Sequence, residues 1–323
     1  MTQPTESFKQ FDYALRPSKQ IERKTMIEVL LRISKAGYNI QEYAYMGFGS
    51  VYYVDFVMFH KYLFISQMTC VEWGRIARRM RFNKPYKFIK LKLGALSKHI
   101  PSIRPSQRLL MWLDYDRALD QSMLQDIDGC LERLGRRSIF IITIDARAKL
   151  PKDEFDLEDL SAEDQDAEIV RAYQRWFGSY ADGKITRDRI SGADVAPLFY
   201  EVVRERIRQT LTRKEPELRF IQIFHFFYRD GAPMLTLGGI IGTQDDEENL
   251  RHARIFELPL VRTGKERLGI SVPPLTLRER QWLDRRVSAK LRPDKISFEL
   301  DEDLLQNYCA FYKEYPTYLE TLL

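Results

Sequence analysis

The stretch Gln41–Asp55, QEYAYMGFGSVYYVD, carries the pattern on which the predicted fold depends. An apolar, aromatic run leads to a turn that contains Gly47 and Gly49, and an apolar helical pattern follows. Glycine suits such a turn because it lacks the Cβ that opposes tight backbone angles and close approach to a ligand. The sequence therefore predicts a strand, a glycine turn and a helix, which together can hold a nucleotide cofactor. A plain strand-to-helix turn gives the same pattern. The elements further along the chain are therefore needed to distinguish a cofactor-binding turn from a purely structural one.

The composition is that of an ordinary folded protein and excludes several classes. The chain has 323 residues, of which 44% are hydrophobic and 30% are charged, so it can bury a large core. No stretch approaches the ~18 apolar residues that cross a bilayer, and the N-terminus lacks the apolar core of a signal peptide. The net charge of +5 permits an anionic partner without requiring one. We expect a cytoplasmic protein that is not bound to a membrane.

The three cysteines, Cys70, Cys130 and Cys309, lie far apart in the sequence. Their number is odd, and their spacing fits neither a disulfide framework nor a zinc site. The sequence therefore predicts buried thiols in a reducing compartment and no metal site.

A carboxylate ends the second predicted strand. Glu72 follows the run Ser66–Val71 and comes after the glycine turn at a spacing close to the ~20 residues expected of a dinucleotide fold. A carboxylate can accept hydrogen bonds from both vicinal hydroxyls of a ribose. Glu72 is therefore predicted to bind a ribose, and an exposed charge at a strand end is the alternative.

A later strand, Leu109–Asp116, is the clearest buried strand in the sequence and ends in Asp114, Tyr115 and Asp116. In parallel sheets the ligand lies beyond the carboxyl ends of the strands, so these side chains are predicted to point towards the reacting groups. An acid or a phenol there can orient a nucleophile or take its proton. Asp116 could instead cap the next helix.

A basic stretch and an acidic stretch stand out between the predicted elements. Residues 74–93 contain eight Lys and Arg and no acid, interleaved with three aromatic residues. Such a run either contacts nucleic acid or is the solvent-exposed face of a helix and a strand. Residues 151–168 hold nine acids and one lysine, which predicts a surface insertion.

Two apolar runs around Asp230-Gly231, within residues 219–241, predict a β-hairpin. Alternating strands and helices that close with such a hairpin resemble the fold of class I S-adenosylmethionine-dependent methyltransferases. At the level of element order the resemblance covers residues 18–243. It implies an α/β, Rossmann-like, mostly parallel sheet of seven strands with an antiparallel last strand and helices on both faces. It also implies S-adenosylmethionine as the cofactor.

The resemblance assigns roles to the residues named above. Gly47 and Gly49, with Ser50, match the glycine-rich first motif that cradles the cofactor. Glu72 matches the acid that binds its ribose. The segment Asp114–Asp116 matches the fourth motif, where substrate-binding or catalytic groups lie.

The chain departs from the family pattern at two positions. Tyr45 stands where an acid usually precedes the first glycine, and Val51 stands where a third glycine is usual. No Asn-Pro-Pro-Tyr motif is present, which argues against methylation of DNA amino groups. The segments Arg16–Arg23 and Met46–Phe56 also resemble an uncharacterised bacterial branch that carries an O-methyltransferase label without a substrate.

The first helix is predicted to run from an N-cap at Ser18 to Gly37. Its first turns are rich in charged residues, which either form a solvent-exposed face or place Arg16 or Lys19 near the carboxylate of the cofactor. Lys19 is therefore a candidate cofactor ligand.

Two domains are expected. Residues 1–245 would form the methyltransferase domain, with a helical and acidic insertion at about 148–215, and residues 246–323 would form a C-terminal helical appendage.

The leading hypothesis is a methyltransferase of unknown acceptor that uses strand-tip acids to position that acceptor. The alternative is a degenerate methyltransferase-like module that binds nucleic acid or a partner protein without catalysis. The departures in the first motif favour the alternative, and the acids at the strand tips favour the enzyme. A nicotinamide oxidoreductase is disfavoured by the closing hairpin.

Overall fold

The computed structural model describes residues 16–74, 76–149, 160–178, 185–190, 195–271, 273–287 and 291–316. The strands are β1 Ala44–Phe48, β2 Gln67–Glu72, β3 Ile89–Leu93, β4 Leu109–Ala118, β5 Ile139–Asp145, β6 Arg219–Asp230, β7 Ala232–Gly242 and β8 Leu268–Ile270. The helices are α1 Pro17–Ile33, α2 Val54–Leu63, α3 Ala77–Asn83, α4 Gln121–Arg133, α5 Ala162–Phe177, α6 Arg187–Ile190, α7 Ala196–Lys214, α8 Gln244–His252, α9 Leu277–Asp284 and α10 Glu302–Phe311.

One sheet joins all eight of these strands in the order β3-β2-β1-β4-β5-β7-β6-β8. Strand β7 runs antiparallel to both of its neighbours, and every other neighbouring pair is parallel. The predicted α/β class, with a mostly parallel sheet and an antiparallel seventh strand, is confirmed. The carboxyl ends of β1, β2, β4 and β5 therefore meet at one edge, where such folds bind their ligands.

The hairpin of β6 and β7 turns at Gly231, as the sequence predicts. Gly231 has φ = +89°, a left-handed conformation that favours glycine because it has no Cβ. Asp230 and Ala232 on either side of it are paired across the two strands.

An eighth strand extends the predicted sheet. Strand β8 pairs in parallel with β6, Leu268 opposite Phe226 and Ile270 opposite Tyr228. The sequence predicts only a helical appendage after residue 245, because a three-residue strand is too short to show a period of two.

Two hydrophobic cores cover the two faces of the sheet. Helices α1, α2 and α3 contribute to one core, and α4, α5 and α7 contribute to the other. Strand β4 shows how the faces are separated, since Leu110 and Trp112 belong to the first core while Met111, Leu113 and Tyr115 belong to the second.

Helix α1 begins at Pro17, and its N-terminus is capped from a distant strand. Asp230 accepts hydrogen bonds from the backbone N–H of Ser18, at 3.4 Å, and of Lys19, at 2.9 Å. The predicted N-cap at Ser18 is therefore wrong. Rules for caps consider only neighbouring residues, so they miss an acceptor that is 212 positions away.

Helix α7 belongs to the layer that covers the sheet, although it lies within the predicted insertion. Its Arg206 donates to Asp128 of α4 at 2.9 Å, and its Thr210 donates to the same carboxylate at 2.6 Å. Half of the acidic stretch, residues 151–159, lies outside the described residues. The insertion boundaries at about 148–215 stay a prediction.

The segment after residue 245 combines a small core of its own with contacts to the main body. Leu283, Leu305 and Tyr308 form the small core, whereas Phe311 belongs to the core beneath α1. Lys24 of α1 donates to the backbone oxygen of Glu314 at 3.0 Å. The domain boundary at 245 therefore stays a prediction, although β8 links this segment to the sheet.

No helix within the described ranges is long and apolar enough to cross a membrane.

Candidate active site

The glycine turn connects β1 to α2 at the carboxyl edge of the sheet. The N–H of Gly49 donates to the carbonyl of Val71 on β2 at 3.3 Å, and the N–H of Tyr53 donates to the carbonyl of Ser50 at 3.1 Å. Tyr53, with φ = +50°, is the left-handed residue of the turn. The turn is thus fixed to the end of β2 by a main-chain hydrogen bond.

The two glycines are required by close contacts within the sheet. A Cβ on Gly49 would lie 2.2 Å from Sγ of Cys70. A Cβ on Gly47 would clash with the phenol of Tyr45 and lie 3.0 Å from the carbonyl oxygen of Trp112. Neither glycine has a positive φ. The need for glycine therefore comes from packing against β2 and β4, while the predicted contact of Gly47, Gly49 and Ser50 with a cofactor stays a prediction.

Glu72 ends β2 directly beside this turn. Phe48 of β1 pairs with Val71, so the half-buried Glu72 carboxylate lies next to Gly49 and Ser50 along the same edge. One of its oxygens accepts the N–H of Trp73 at 2.9 Å. The Trp73 side chain is 70% exposed and presents a flat apolar surface next to this carboxylate.

Lys19 lies under the tip of β4 and is almost completely buried, with 1% of its surface exposed. Its ammonium group donates to Asp114 at 2.7 Å, to Glu22 at 2.8 Å and to the hydroxyl of Tyr228 at 3.0 Å. An ammonium group has three N–H donors, so each has an acceptor here. The predicted role of Lys19 as a cofactor ligand stays a prediction, and the structure shows it bound to the strand-tip acid instead.

A buried hydrogen-bond network continues from Lys19 into the sheet. Glu22 accepts hydrogen bonds from Tyr228, at 3.1 Å, and from Thr236. Thr236 contacts Thr143 at 2.8 Å, and Thr143 accepts the indole N–H of Trp112 at 3.0 Å. Burial raises the pKa of Glu22, and the Lys19 charge opposes this rise. Four strands and α1 thus hold the Lys19 ammonium, and through it Asp114, in one position.

Arg23 and Asp55 form a second ion pair, between α1 and the first turn of α2. Arg23 is buried, and its Nη1 has no hydrogen-bond partner among the described residues. A buried guanidinium N–H without an acceptor costs free energy, so this atom is a good candidate for binding an anionic group of a ligand.

The interpretation of the charged first turns of α1 as a solvent-exposed face is wrong for Lys19, Glu22 and Arg23, which are all buried. Sequence reasoning also missed the roles of Tyr228 and Thr236. Their partners come from different strands, so no local pattern identifies them. The one available signal was a concentration of charges in a helix that otherwise carries apolar residues at core spacing.

The three predicted catalytic residues do not share one face of the sheet. Tyr115 points to the opposite face from Asp114, where its hydroxyl donates to Asp126 of α4 at 2.7 Å. Asp116 is exposed. The alternative role of Asp116 as a helix cap is wrong, because Asp120 accepts the N–H of Met123 at the start of α4.

Tyr45, which replaces the usual acid of the first motif, is buried in an aromatic cluster. Its ring lies 4.9 Å from the ring of Phe56 and 4.9 Å from that of Phe59, both of α2. This position therefore contributes to the core.

A sheet in the order found here, with an antiparallel seventh strand and a glycine turn beside an acidic end of β2, defines a class I methyltransferase fold. The particular family follows from the sequence. The family model described as "Putative O-methyltransferase" matches residues 11–323, so the chain belongs to this family. S-adenosylmethionine, the cofactor expected from the sequence, is the cofactor of this class.

Several solved structures are similar in fold to this chain. Trm1 from Pyrococcus horikoshii, solved with S-adenosyl-L-methionine, is 12% identical with a TM-score of 0.41; the match covers 72% of this chain and 57% of that one. This chain thus spans little more than half of that protein's length.

Two O-methyltransferases are also similar. TomG from Streptomyces achromogenes, involved in tomaymycin synthesis and solved with the same cofactor, is 12% identical with a TM-score of 0.37, over 72% of this chain and 91% of that one. An O-methyltransferase from Bacillus cereus, solved with SAH, is 11% identical with a TM-score of 0.36, over 72% and 86%. A search of curated proteins found no match.

Proposed function

We propose that this protein transfers a methyl group from S-adenosylmethionine to a hydroxyl-bearing acceptor that binds beside Asp114 and Asp116. The observation that carries the proposal is the arrangement around β1. Strand β2, with Glu72 at its end, lies on one side of β1 and its glycine turn, and strand β4, with Asp114 just past its pairing with β1, lies on the other. A ribose-binding acid and an acceptor-binding acid would then flank one cofactor.

The residues around the turn fit this cofactor. Gly47, Gly49 and Ser50 would border it, and Glu72 would accept hydrogen bonds from its ribose hydroxyls. The exposed Trp73 ring offers a surface for the adenine. The unpartnered Nη1 of Arg23 offers a donor for its carboxylate. When bound, the cofactor supplies an electrophilic methyl group.

The protein's own contribution to methyl transfer is chiefly alignment, because an in-line displacement needs the acceptor oxygen to face the methyl carbon. Asp114, held by Lys19, would orient the acceptor hydroxyl through a hydrogen bond. Asp116 is exposed and forms no ion pair within the described ranges, so its carboxylate can take the hydroxyl proton as the new bond forms. Tyr115 would act indirectly, by fixing the end of β4 to α4 through Asp126.

Calorimetric titration of the protein with S-adenosylmethionine and S-adenosylhomocysteine, after removal of copurified ligand, tests the proposal. We expect binding in the micromolar range. A folded, ligand-free protein that binds neither compound would overturn the proposal. Cofactor binding without methyl transfer to any hydroxyl acceptor would favour a module without catalysis, if the Asp116→Ala variant also behaves like the wild type in every assay.

A further inference from the structure

The segment Tyr52–Leu93 carries more positive charge than the whole molecule does. It contains nine Lys and Arg and two acids, a net charge of +7, compared with +5 for the entire chain. Both acids lie at the candidate active site, where Asp55 pairs with Arg23 and Glu72 ends β2. The segment therefore carries an excess of positive charge outside the candidate active site, which can attract an anionic partner.

The same segment also contains all the exposed aromatic side chains of the described residues. Phe82 is 89% exposed, Phe64 71% and Tyr62 54%, and Tyr52 and Trp73 complete the set. Single exposed apolar residues are ordinary on protein surfaces, but their restriction to one basic segment is not.

Contacts beneath these side chains place α2, α3 and the loop before β3 next to one another. Helix α3 is anchored by the buried Met80, whose carbonyl accepts the hydroxyl of Tyr53 at 3.1 Å, so Arg78, Arg81 and Phe82 face outwards. His60, near the end of α2, lies 4.4 Å from the ring of Tyr86 in the loop before β3. The ends of α2 and α3 and this loop therefore adjoin at the β3 edge of the sheet. We call the exposed side chains Tyr62, Phe64, Arg78, Arg81, Phe82 and Lys87 the basic aromatic strip.

The cations of the strip are not neutralised by the protein. Arg78, Arg81 and Lys87 are exposed and form no ion pair within the part of the chain that the structure describes. Protection of an edge strand explains Lys90 and Lys92, which lie on β3 itself. It does not explain a phenylalanine on the outer face of a neighbouring helix.

We propose that the basic aromatic strip binds single-stranded nucleic acid. Free cations attract phosphates, and exposed rings stack on unpaired bases, which a duplex does not present. Arg and aromatic side chains are also enriched in protein interfaces, but the excess of positive charge in this segment, with the exposed Lys87, favours a polyanion over a protein partner. Tyr62 and Phe64 come shortly before β2 and Lys87 shortly before β3, so this part of the strip lies at the amino ends of these strands, opposite the candidate active site.

Fluorescence anisotropy with a labelled single strand of ~20 nucleotides, as RNA and as DNA, tests the proposal across a salt series from about 50 to 200 mM. The wild-type protein should bind with affinity that falls steeply as salt rises. The double variant R81E/K87E should reduce affinity by about tenfold or more and lower the salt slope by about 2. The matched control R278E/R285E makes the same charge change at two exposed arginines, in α9 and directly after it, which follow β8 in the chain and lie outside the basic aromatic strip; it should leave binding unchanged.

Phe82→Ala separates stacking from charge. Because Phe82 is exposed, its loss should not unfold the protein, and it should weaken binding about fivefold or more without changing the salt slope. No binding at about 50 mM salt, an equal loss in the α9 control, or an unchanged affinity in Phe82→Ala would overturn the proposal. Tighter binding to duplex, or to vesicles of anionic lipid, would overturn it too. Cofactor binding by each variant, measured separately, distinguishes this result from a failure of the proposed methyltransferase activity.

Discussion

At the residue scale, Lys19 places one buried positive charge between two carboxylates. Its ammonium lies 2.8 Å from Glu22 and 2.7 Å from Asp114, and 4.4 Å from the centre of the Trp112 ring. Burying charges costs free energy that is recovered only when the partners and hydrogen bonds are all in place. The position of Asp114 therefore depends on a side chain of α1.

Replacing Lys19 by Met should lower the free energy of unfolding by about 3 kcal/mol, because Glu22 and Asp114 would face each other without a cation between them. Urea unfolding measures the change. The matched control is Lys35→Met, at an exposed position with no ion pair within the described residues, which should change stability by less than ~0.5 kcal/mol. Equal effects of the two substitutions would show that the buried ion pairs contribute nothing.

Replacing Glu72 by Ala should weaken S-adenosylmethionine binding by about tenfold or more, since hydrogen bonds to a charged group contribute about 1.5–3 kcal/mol. Calorimetry measures the affinity. Glu217→Ala removes an exposed carboxylate just before β6 and should leave the affinity unchanged. An unaltered affinity in Glu72→Ala would show that Glu72 does not bind the ribose.

Single residues were predictable from the sequence where their role depends on position along a strand. Glu72 ends β2, and Asp114 lies two residues past Trp112, the last residue of β4 that pairs with β1, so the sheet places both at one edge. The burial of Glu22 and Arg23 was not predictable, because it depends on partners from α2, β6 and β7 that are far away in the chain. Charged residues in a helix normally face water, so local reasoning assigns them to the surface.

At the element scale, α8 is tied to the loop before β5 by Asp246. Its carboxylate accepts from Arg136 at 2.6 Å, from Arg137 at 2.8 Å and from the N–H of Thr243 at 3.1 Å. Burial alone would raise the pKa of Asp246, but the hydrogen bonds from the two arginines outweigh it and lower the pKa to about 2.

This lowered pKa predicts a pH-dependent contribution to stability. A carboxyl group whose pKa is lower in the folded state stabilises the protein above its unfolded value, 3.8, and loses that effect as the pH falls towards about 2. Asp246→Asn should therefore be less stable than wild type by about 2 kcal/mol at neutral pH. The difference should shrink below pH 3.8 in urea unfolding at each pH where both proteins fold. A difference that does not vary with pH would contradict this account.

Elements were predictable where the chain carries a long apolar run or a specific turn. Strand β4 and the hairpin at Gly231 follow the sequence closely, since both have strong local signals. The start of α1 and the strand β8 were not predictable, because one depends on a cap from Asp230 and the other on three residues that pair with β6.

At the scale of the whole molecule, the class of the fold and its cofactor followed from the order of elements, whereas the acceptor did not. The fold can be inferred from the alternation of strands and helices, because each of these elements has its own local pattern of apolar residues in the sequence. The acceptor would be selected by side chains that converge from several elements, and their spacing in the sequence says nothing about their distances in space. The charge of the Tyr52–Leu93 segment was visible in the sequence, but its exposure was not.

Cofactor binding should stabilise the whole protein. A ligand at 100 times its Kd adds about 2.7 kcal/mol to the free energy of unfolding if it binds only the folded state. For a chain of 323 residues this raises the Tm by about 4 °C. Scanning calorimetry with S-adenosylhomocysteine should show the shift, and Glu72→Ala should show a smaller one at the same ligand concentration. A Tm that does not respond to saturating ligand would contradict binding to the folded state.

Strand β8 and the residues before it give the C-terminal segment a protective role. The N–H of Arg262 donates to the carbonyl of Ile223 at 2.9 Å, and β8 pairs with β6 from Phe226 to Tyr228. A chain shortened before Val261 would leave the 12 residues of β6, most of them apolar, as an open edge. Such an edge recruits strands from other molecules, so the shortened chain should aggregate, and light scattering would detect it. We therefore expect the short strand β8 to keep this protein from polymerising through its own sheet.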